Sequence, residues 1–394
     1  MIDVVIPVYG GVQETRRCIE SVLACTPAAQ ADIVVVNDAS PEPAIGAYVQ
    51  QLANEGRITL LVNGQNQGFV RSVNRGMALH GDRDVVLLNS DTEVANDWLE
   101  RLRAAAHRQP DIATVTPFSN NATICSYPFE GWQGGTPGTL GLAALDRVFA
   151  RANTGLALDL PTAVGFCMYI RRDALQALGL FDAERFGRGY GEENDFCMRA
   201  LKSGRRNVLA ADVFVFHEGA VSFSEERAQR TAAATEALLE VHPDYMERVV
   251  EFIEADPAQP LRSAVDLARI ALGAEEARQV LLERRQEQAR WSTRAREIDK
   301  YLAQREKHID ELHQGLADAK AIVAERNEKL AAMERTVAGI QADMAKLYEE
   351  IGKLREGLAH AESLAFERLE ELDAIRGFPL WKYYHFLMRH SSKG

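Results

Sequence analysis

Three short segments carry residue types able to do chemistry. DVVLLNSDTEV ends an apolar run with Asn89, Ser90 and Asp91. GRGYGEENDFCMRA holds Glu192, Glu193 and Asp195 between glycines and an amphipathic stretch, and DVFVFHEG ends at His217. A carboxylate at a strand end can hold Mg²⁺ or Mn²⁺ against a diphosphate, because hard divalent cations take oxygen ligands. A histidine joins such a site only if the fold brings it near the carboxylate. Three crowded acids suit a general base, since repulsion and burial raise a carboxyl's pKa, and positioned proton transfer contributes roughly 10²–10⁴-fold. Each segment also has a plainer reading. Asp91 could cap a helix before Trp98, Asp195 could sit against a helix dipole, and a lone strand-end histidine is more often structural.

Weaker signals lie upstream. VVIPVYG ends the first apolar run with Pro7 and Tyr9, where an aromatic ring could line a pocket for a flat base. No GxGxxG follows, which disfavours a dinucleotide site. VVVNDAS leaves Asp38 at the next strand end, able either to accept an imide N–H or to cap a turn before Pro41. NGQNQGFVRSVNRG offers Asn66 and Gly68 where a third strand passes into a helix. A glycine there allows close backbone approach, and the helix start favours an anion.

The elements that must position these residues are legible as short β-branched runs alternating with amphipathic stretches. VVIPV, DIVVVND, ITLLVN and DVVLLNSD read as strands. ETRRCIESVLAC and AIGAYVQQLANEG between them read as helices. The β-α-β alternation predicts an α/β domain with a doubly wound, mostly parallel sheet over residues 1–250. Ligands bind such sheets beyond the carboxyl ends of the strands, where the polar residues above fall.

Composition limits the alternatives. The chain has 394 residues, enough for one large core and a further element. A net charge of -12 argues against broad nucleic-acid binding. Cys18, Cys25, Cys125, Cys167 and Cys197 show no metal-ligand spacing and are odd in number, so buried thiols in a reducing compartment are expected. No apolar stretch approaches the roughly 20 residues that span a bilayer. A cytoplasmic location is expected, with the C-terminal end able to make it peripheral at the inner face of the membrane.

Residues 251–274, with Pro257 and Pro260 and then helix-forming sequence, read as a hinge or linker helix. Composition then turns to Ala, Glu, Leu, Lys and Arg over 275–376. Steps of seven from Leu302 to Ala365 meet apolar residues throughout, and the companion seam from Arg305 to Ala361 is broken only by Arg305 and Arg326. This predicts a long coiled coil and a homo-oligomer, with dimer and trimer both open. Residues 377–394, with Trp381, Tyr383 and Tyr384 among basic residues, could meet a membrane surface or partner enzymes, or begin another domain.

Taken in order, VVIPVYG, VVVNDAS, NQGFVRSVNRG, LLNSDTEV and GYGEENDFCMRA resemble the motifs of family 2 glycosyltransferases of the GT-A fold. The likeness extends over roughly Met1 to Ser224. It implies an inverting transferase using a UDP- or dTDP-sugar, a divalent cation and a glycan or glycolipid hydroxyl acceptor, in surface polysaccharide or O-antigen synthesis. Pro7, Tyr9, Asp38, Asn66 and Gly68 would surround the nucleotide, with Asn89 and Ser90 beside it. Asp91 would bind the metal with His217 as a second ligand. Glu193 would be the base, with Glu192 and Asp195 as its neighbours and Asp195 a rival. The family's DxD element reads Asn-Ser-Asp here and its ED element reads Glu-Glu, while Val73 stands where an arginine is often found. The imperfect DxD element motivates a second reading, a GT-A head without activity that serves as a coiled-coil scaffold.

Overall fold

Runs of Val, Ile and Leu bounded by Asn, Asp and Gly become the strands of a nine-stranded mixed sheet. They are β1 (Ile2–Val8), β2 (Ala31–Asn37), β3 (Thr59–Val62), β4 (Asp84–Leu88), β5 (Thr92–Glu93), β6 (Ile112–Ser119), β7 (Ala157–Leu160), β8 (Cys167–Ile170) and β9 (Arg206–His217). The structure, a computed structural model, describes residues 1–187, 189–219, 225–336 and 351–368. Its helices are α1 (Val12–Cys25), α2 (Pro43–Asn54), α3 (Phe69–Met77), α4 (Trp98–Ala106), α5 (Leu142–Ala152), α6 (Arg172–Leu178), α7 (Glu192–Lys202), α8 (Glu225–Val241), α9 (Tyr245–Ala255), α10 (Gln259–Ile270) and α11 (Ala274–Thr336).

Strand order is β3-β2-β1-β4-β8-β6-β9-β5, with β7 paired to β9. The β-α-β half is parallel as expected, with β1 between β2 and β4. β8 then runs antiparallel between β4 and β6, while β6 and β9 are parallel. The sheet is therefore parallel on one side and mixed on the other.

Both faces are buried, as near-continuous apolar strands require. Val4, Ile6 and Val8 of β1 join α1, α2, α4 and α5 in one core. Val5 points to the other, with α3, α6 and α7. Gly76 sets the separation of α3 from the sheet: a Cβ there would lie 2.4 Å from Val5 Cγ1.

The segment expected as a hinge is helical and packed. Pro260 falls in the first turn of α10, where its missing N–H breaks no helix bond. Val265, Arg262 and Arg269 are buried. The first compact unit extends from Met1 to Glu287, past the boundary composition suggested.

The second unit begins at Gln288. From Ala295 to Val323 the half-buried residues are Ala295, Ile298, Leu302, Arg305, Ile309, Leu312, Leu316, Ala319 and Val323, and all others are exposed. That alternation of three and four is a heptad seam. A further helix covers 351–368, with Ile351, Leu354, Leu358 and Ala365 half-buried. Lys320 Nζ pairs with Glu362 at 3.7 Å. This ion pair brings the two described helical segments into contact. Seam positions such as Leu347, and the tail 377–394, lie outside the described residues.

Candidate active site

Parallel strands end at one edge, and backbone bonds lock the loops that leave them. Asp38 N donates to Val8 O at 2.9 Å, and Asn63 N donates to Asn37 O at 2.9 Å. β8 runs the other way, so its entering end reaches the same edge, where Asn89 N donates to Phe166 O at 2.8 Å. The candidate residues of five strand ends and of the α7 start converge here, although they come from distant parts of the sequence.

Tyr9 follows β1 and is 49% exposed, open to a stacked ring, while Pro7 is half-buried within the strand. Asp38 is buried. Its Oδ1 accepts from Asn63 Nδ2 and Gln67 N, both at 2.7 Å, and its Oδ2 accepts from Gly68 N at 2.9 Å. Asp38 thus organises the loop after β3. In that loop Asn66 Oδ1 accepts from Gly68 N at 3.0 Å. Gly68 has φ of +83°, a conformation that glycine adopts without a Cβ penalty. Asn89 and Ser90 are half-buried beyond β4.

Asp91 and His217 are brought together by the pairing of β5 with β9, in which Thr92 faces His217. His217 Nε2 lies 3.5 Å from Asp91 Oδ1. Burial raises the Asp91 carboxyl, but the hydrogen bond and charge of His217 outweigh it and hold Asp91 below the ordinary carboxylate range. His217 Nδ1 lies 2.7 Å from Asn121 O, which can only accept, so Nδ1 carries a proton. Nε2 is thereby aimed at the Asp91 oxygen: with a proton it donates to the carboxylate, and without one the two face each other as acceptors suited to a cation. Fixing the second ring nitrogen is how ligand histidines are oriented.

Sequence reasoning missed the residues that hold this histidine. Asn120 Oδ1 accepts from His217 N at 2.8 Å, and Asn120 Nδ2 donates to His217 O at 2.8 Å. The Phe166 ring stacks on the imidazole, centroids 5.2 Å apart. The Ser-Asn-Asn run closing β6 was the available signal. A second group, Asp3, Asp32 and His80, is also close enough to hold an ion. It belongs to the opposite edge of the sheet, and Arg83 Nη1 already lies 3.0 Å from Asp3 and 3.5 Å from Asp32. That guanidinium and the position both separate it from the strand ends where a diphosphate would be held.

Glu192 and Glu193 open α7 after Gly191, whose φ of +92° turns the chain into the helix. Glu192 is buried, Glu193 half-buried, and each has an Oε2 with neither solvent nor a hydrogen-bond partner. Burial pushes both carboxyls up, and the charge of Glu193 pushes Glu192 up further. A Cβ on Gly165 would lie 3.6 Å from the Glu193 carboxyl carbon, so Glu193 faces the entry to β8 at the same edge. Asp195 differs. Its Oδ1 is 2.9 Å from His242 Nε2 and its Oδ2 accepts from Arg199 Nε at 2.8 Å. Both its oxygens tie α7 to its surroundings, whereas those of the glutamate pair are left partly unmatched.

Burial pushes the Cys18 and Cys197 thiols up to about 12, which makes them inert. Among the described residues no helix is long and apolar enough to cross a membrane.

Residues 3–179 match the family model described as glycosyl transferase family 2. Over this part the chain is similar to family 2 glycosyltransferases, the family that the order of its motifs resembles. The match ends before Glu192, Glu193 and His217. The chain is 29% identical over 130 residues to glycosyltransferase GlyA of Streptococcus pneumoniae serotype 4, covering 33% of this chain and 18% of that protein. It is 28% identical over 182 residues to polypeptide N-acetylgalactosaminyltransferase 4 of Caenorhabditis elegans, covering 44% and 30% respectively. The chain thus spans less than a third of the length of either curated relative. A crystal structure of GalNAc-T7 with UDP, GalNAc and Mn²⁺ superposes with a TM-score of 0.47 at 17% identity, over 68% of this chain and 54% of that one.

Proposed function

We propose that the chain is an inverting, metal-dependent glycosyltransferase that moves a sugar from a UDP- or dTDP-sugar to a hydroxyl of a glycan or glycolipid. The observation that carries this is the pairing, at one strand edge, of a cation-ready Asp91–His217 couple with a glutamate whose buried oxygen has no partner. A site without chemistry has no use for a buried, unmatched carboxylate, which costs free energy, and this disfavours the scaffold reading.

In the reaction, Tyr9 and the Asp38-ordered loop hold the nucleotide. Asp91 and His217 would hold Mn²⁺ or Mg²⁺, which when bound neutralises diphosphate charge. Glu193 takes the proton from the acceptor hydroxyl as its oxygen bonds to the anomeric carbon. The bond from that carbon to the phosphate oxygen breaks on the opposite face, and the nucleoside diphosphate leaves with the electron pair. One such displacement inverts the anomeric centre. Burial keeps Glu193 a stronger base than an exposed carboxylate.

Calorimetry with UDP, dTDP, GDP and CMP, in Mn²⁺ and in EDTA, tests the reading. Metal-dependent binding of one nucleoside diphosphate is expected; no binding by folded protein would overturn it.

The reading extends to surface polysaccharide or O-antigen synthesis, with a peripheral cytoplasmic location and partner enzymes gathered by the helical unit. Its seam residues are only half-covered, and no described residue of that unit is fully buried. A second copy completing the seam accounts for this. Light scattering should return a multiple of the chain mass, and a monomer would remove this part of the proposal.

A further inference from the structure

The loop between β6 and α5 is held at both ends by groups that the transfer chemistry does not use. At its start, Tyr127 N donates to Ser119 O at 2.8 Å, and Gly131 N donates to Thr123 O at 2.9 Å. Midway, Asn120 Nδ2 donates to Gly134 O at 2.7 Å, and the same amide donates to His217 O at 2.8 Å. At its end, Thr139 N and Thr139 Oγ1 both donate to Glu276 Oε1 at 2.6 Å. Glu276 is in the first turn of α11.

The Glu276 end is built around a buried cation. Arg269 Nε donates to Glu276 Oε2 at 2.8 Å. Its Nη1 and Nη2 reach Glu283 at 2.6 and 3.0 Å, and Nη1 also donates to Tyr127 Oη at 2.9 Å. Gly138, at φ +76°, packs so closely that a Cβ would lie 2.6 Å from the Glu276 carboxylate. One carboxylate therefore joins the last residue of the loop to the guanidinium that also holds its first aromatic ring.

We propose that Glu276 is a positioning residue for transfer: by closing the 126–139 loop it fixes Asn120, and through Asn120 the His217 ring. This rests on the transferase reading for its consequence, since only then does the setting of His217 bear on metal and nucleotide. The physical path is short. A loop free at Thr139 lets Gly134 move, Asn120 loses the partner that shares its amide, and the backbone of His217 loses its fixed neighbour. The helix that leads out of the domain thus begins with a residue connected to the site through this loop.

Hydrogen exchange on the full chain tests this with Glu276→Ala, Glu276→Gln and the neighbouring Glu275→Ala. Arg269 keeps its two bonds to Glu283 in every variant, so its buried charge stays paired. Glu276→Ala should speed exchange about tenfold both in 131–139 and at the His217 amide, and weaken binding of Mn²⁺ with UDP by about tenfold. Glu276→Gln still offers Thr139 an acceptor oxygen and should restore most of the protection, and Glu275→Ala should change nothing. The proposal is overturned if the loop keeps its protection, or if the loop loosens while the His217 amide does not. Equal acceleration throughout β1–β4 would also overturn it, as general destabilisation. If wild-type protein binds no Mn²⁺ and UDP, the transferase reading falls, while exchange at His217 still decides this one.

Discussion

Glu193→Gln is expected to lower turnover by about 10²–10⁴-fold and, at neutral pH, to raise the melting temperature. Both effects have one cause. Burial holds the Glu193 carboxyl above its ordinary 4.5, so the folded state binds a proton more tightly than the unfolded chain. Stability therefore falls as pH rises from about 4.5 through the raised value and stays low above it. Glutamine has no such titration. Its stabilising effect should vanish below pH 4.5 and be greatest above the raised value. Turnover by wild-type enzyme should fail in acid at a higher pH than an exposed carboxylate would dictate, because the base must be unprotonated. The Glu193 charge raises Glu192 further, so Glu192 stays protonated while Glu193 titrates, and Glu192→Gln should leave that acid limb in place. Thermal scans and a pH–rate profile check these statements; a Glu193→Gln protein with wild-type turnover would exclude Glu193 as the base.

Asp91→Asn should have the opposite stability effect with an equally large functional one. The amide keeps an oxygen but loses the charge facing His217 Nε2 at 3.5 Å. Affinity for Mn²⁺ with nucleoside diphosphate should drop at least about 100-fold, and EDTA should then make no difference. Asp91 is held below the ordinary carboxylate range. Its contribution to stability is present above the unfolded pKa and is lost as pH falls through the depressed folded value. The metal-free Asn variant should thus melt below wild type at neutral pH and converge with it in strong acid. Two carboxylates at one strand edge are pushed in opposite directions, which separates the charge holder from the proton acceptor. Metal titration by calorimetry and melting curves in EDTA would detect both effects, and unchanged metal dependence would remove Asp91 from the site.

Much of this was legible because strands announce themselves. The runs ending at Val8, Asn37, Val62 and Leu88 are apolar and β-branched, and parallel pairing leaves the polar residues after them nowhere to go but a common edge. The meeting of Asp91 with His217 was readable only as a condition, since it depends on β5 pairing with β9 across more than a hundred residues. Asn120 gave no periodic signal, because a side chain that bonds backbone on two other segments is defined by tertiary position. Asp195 was open both to a helix-dipole role and to that of a rival base, and His242 and Arg199 occupy it from positions that spacing does not reveal. Prolines mark helix starts as well as breaks, and Pro260 does the former, so composition alone did not show how closely this segment packs. The helical seam was visible as a repeat, but a repeat is silent on tertiary contacts, and the pairing of Lys320 with Glu362 is one that spacing does not reveal.

The parallel pairing of β6 with β9 has a kinetic meaning. Between Ile112–Ser119 and Arg206–His217 lie two strands and three helices, all of which must be threaded before the pair can close. Contacts this distant in sequence are slow to form, because the entropy of the long loop is lost before any stabilisation returns. Asp91 and His217 meet through the pairing of β5 with the same β9, across a still longer stretch of chain. Acquisition of metal-dependent nucleotide binding during refolding would then mark the final step, a clock for the completed domain that no measurement of helix content could supply.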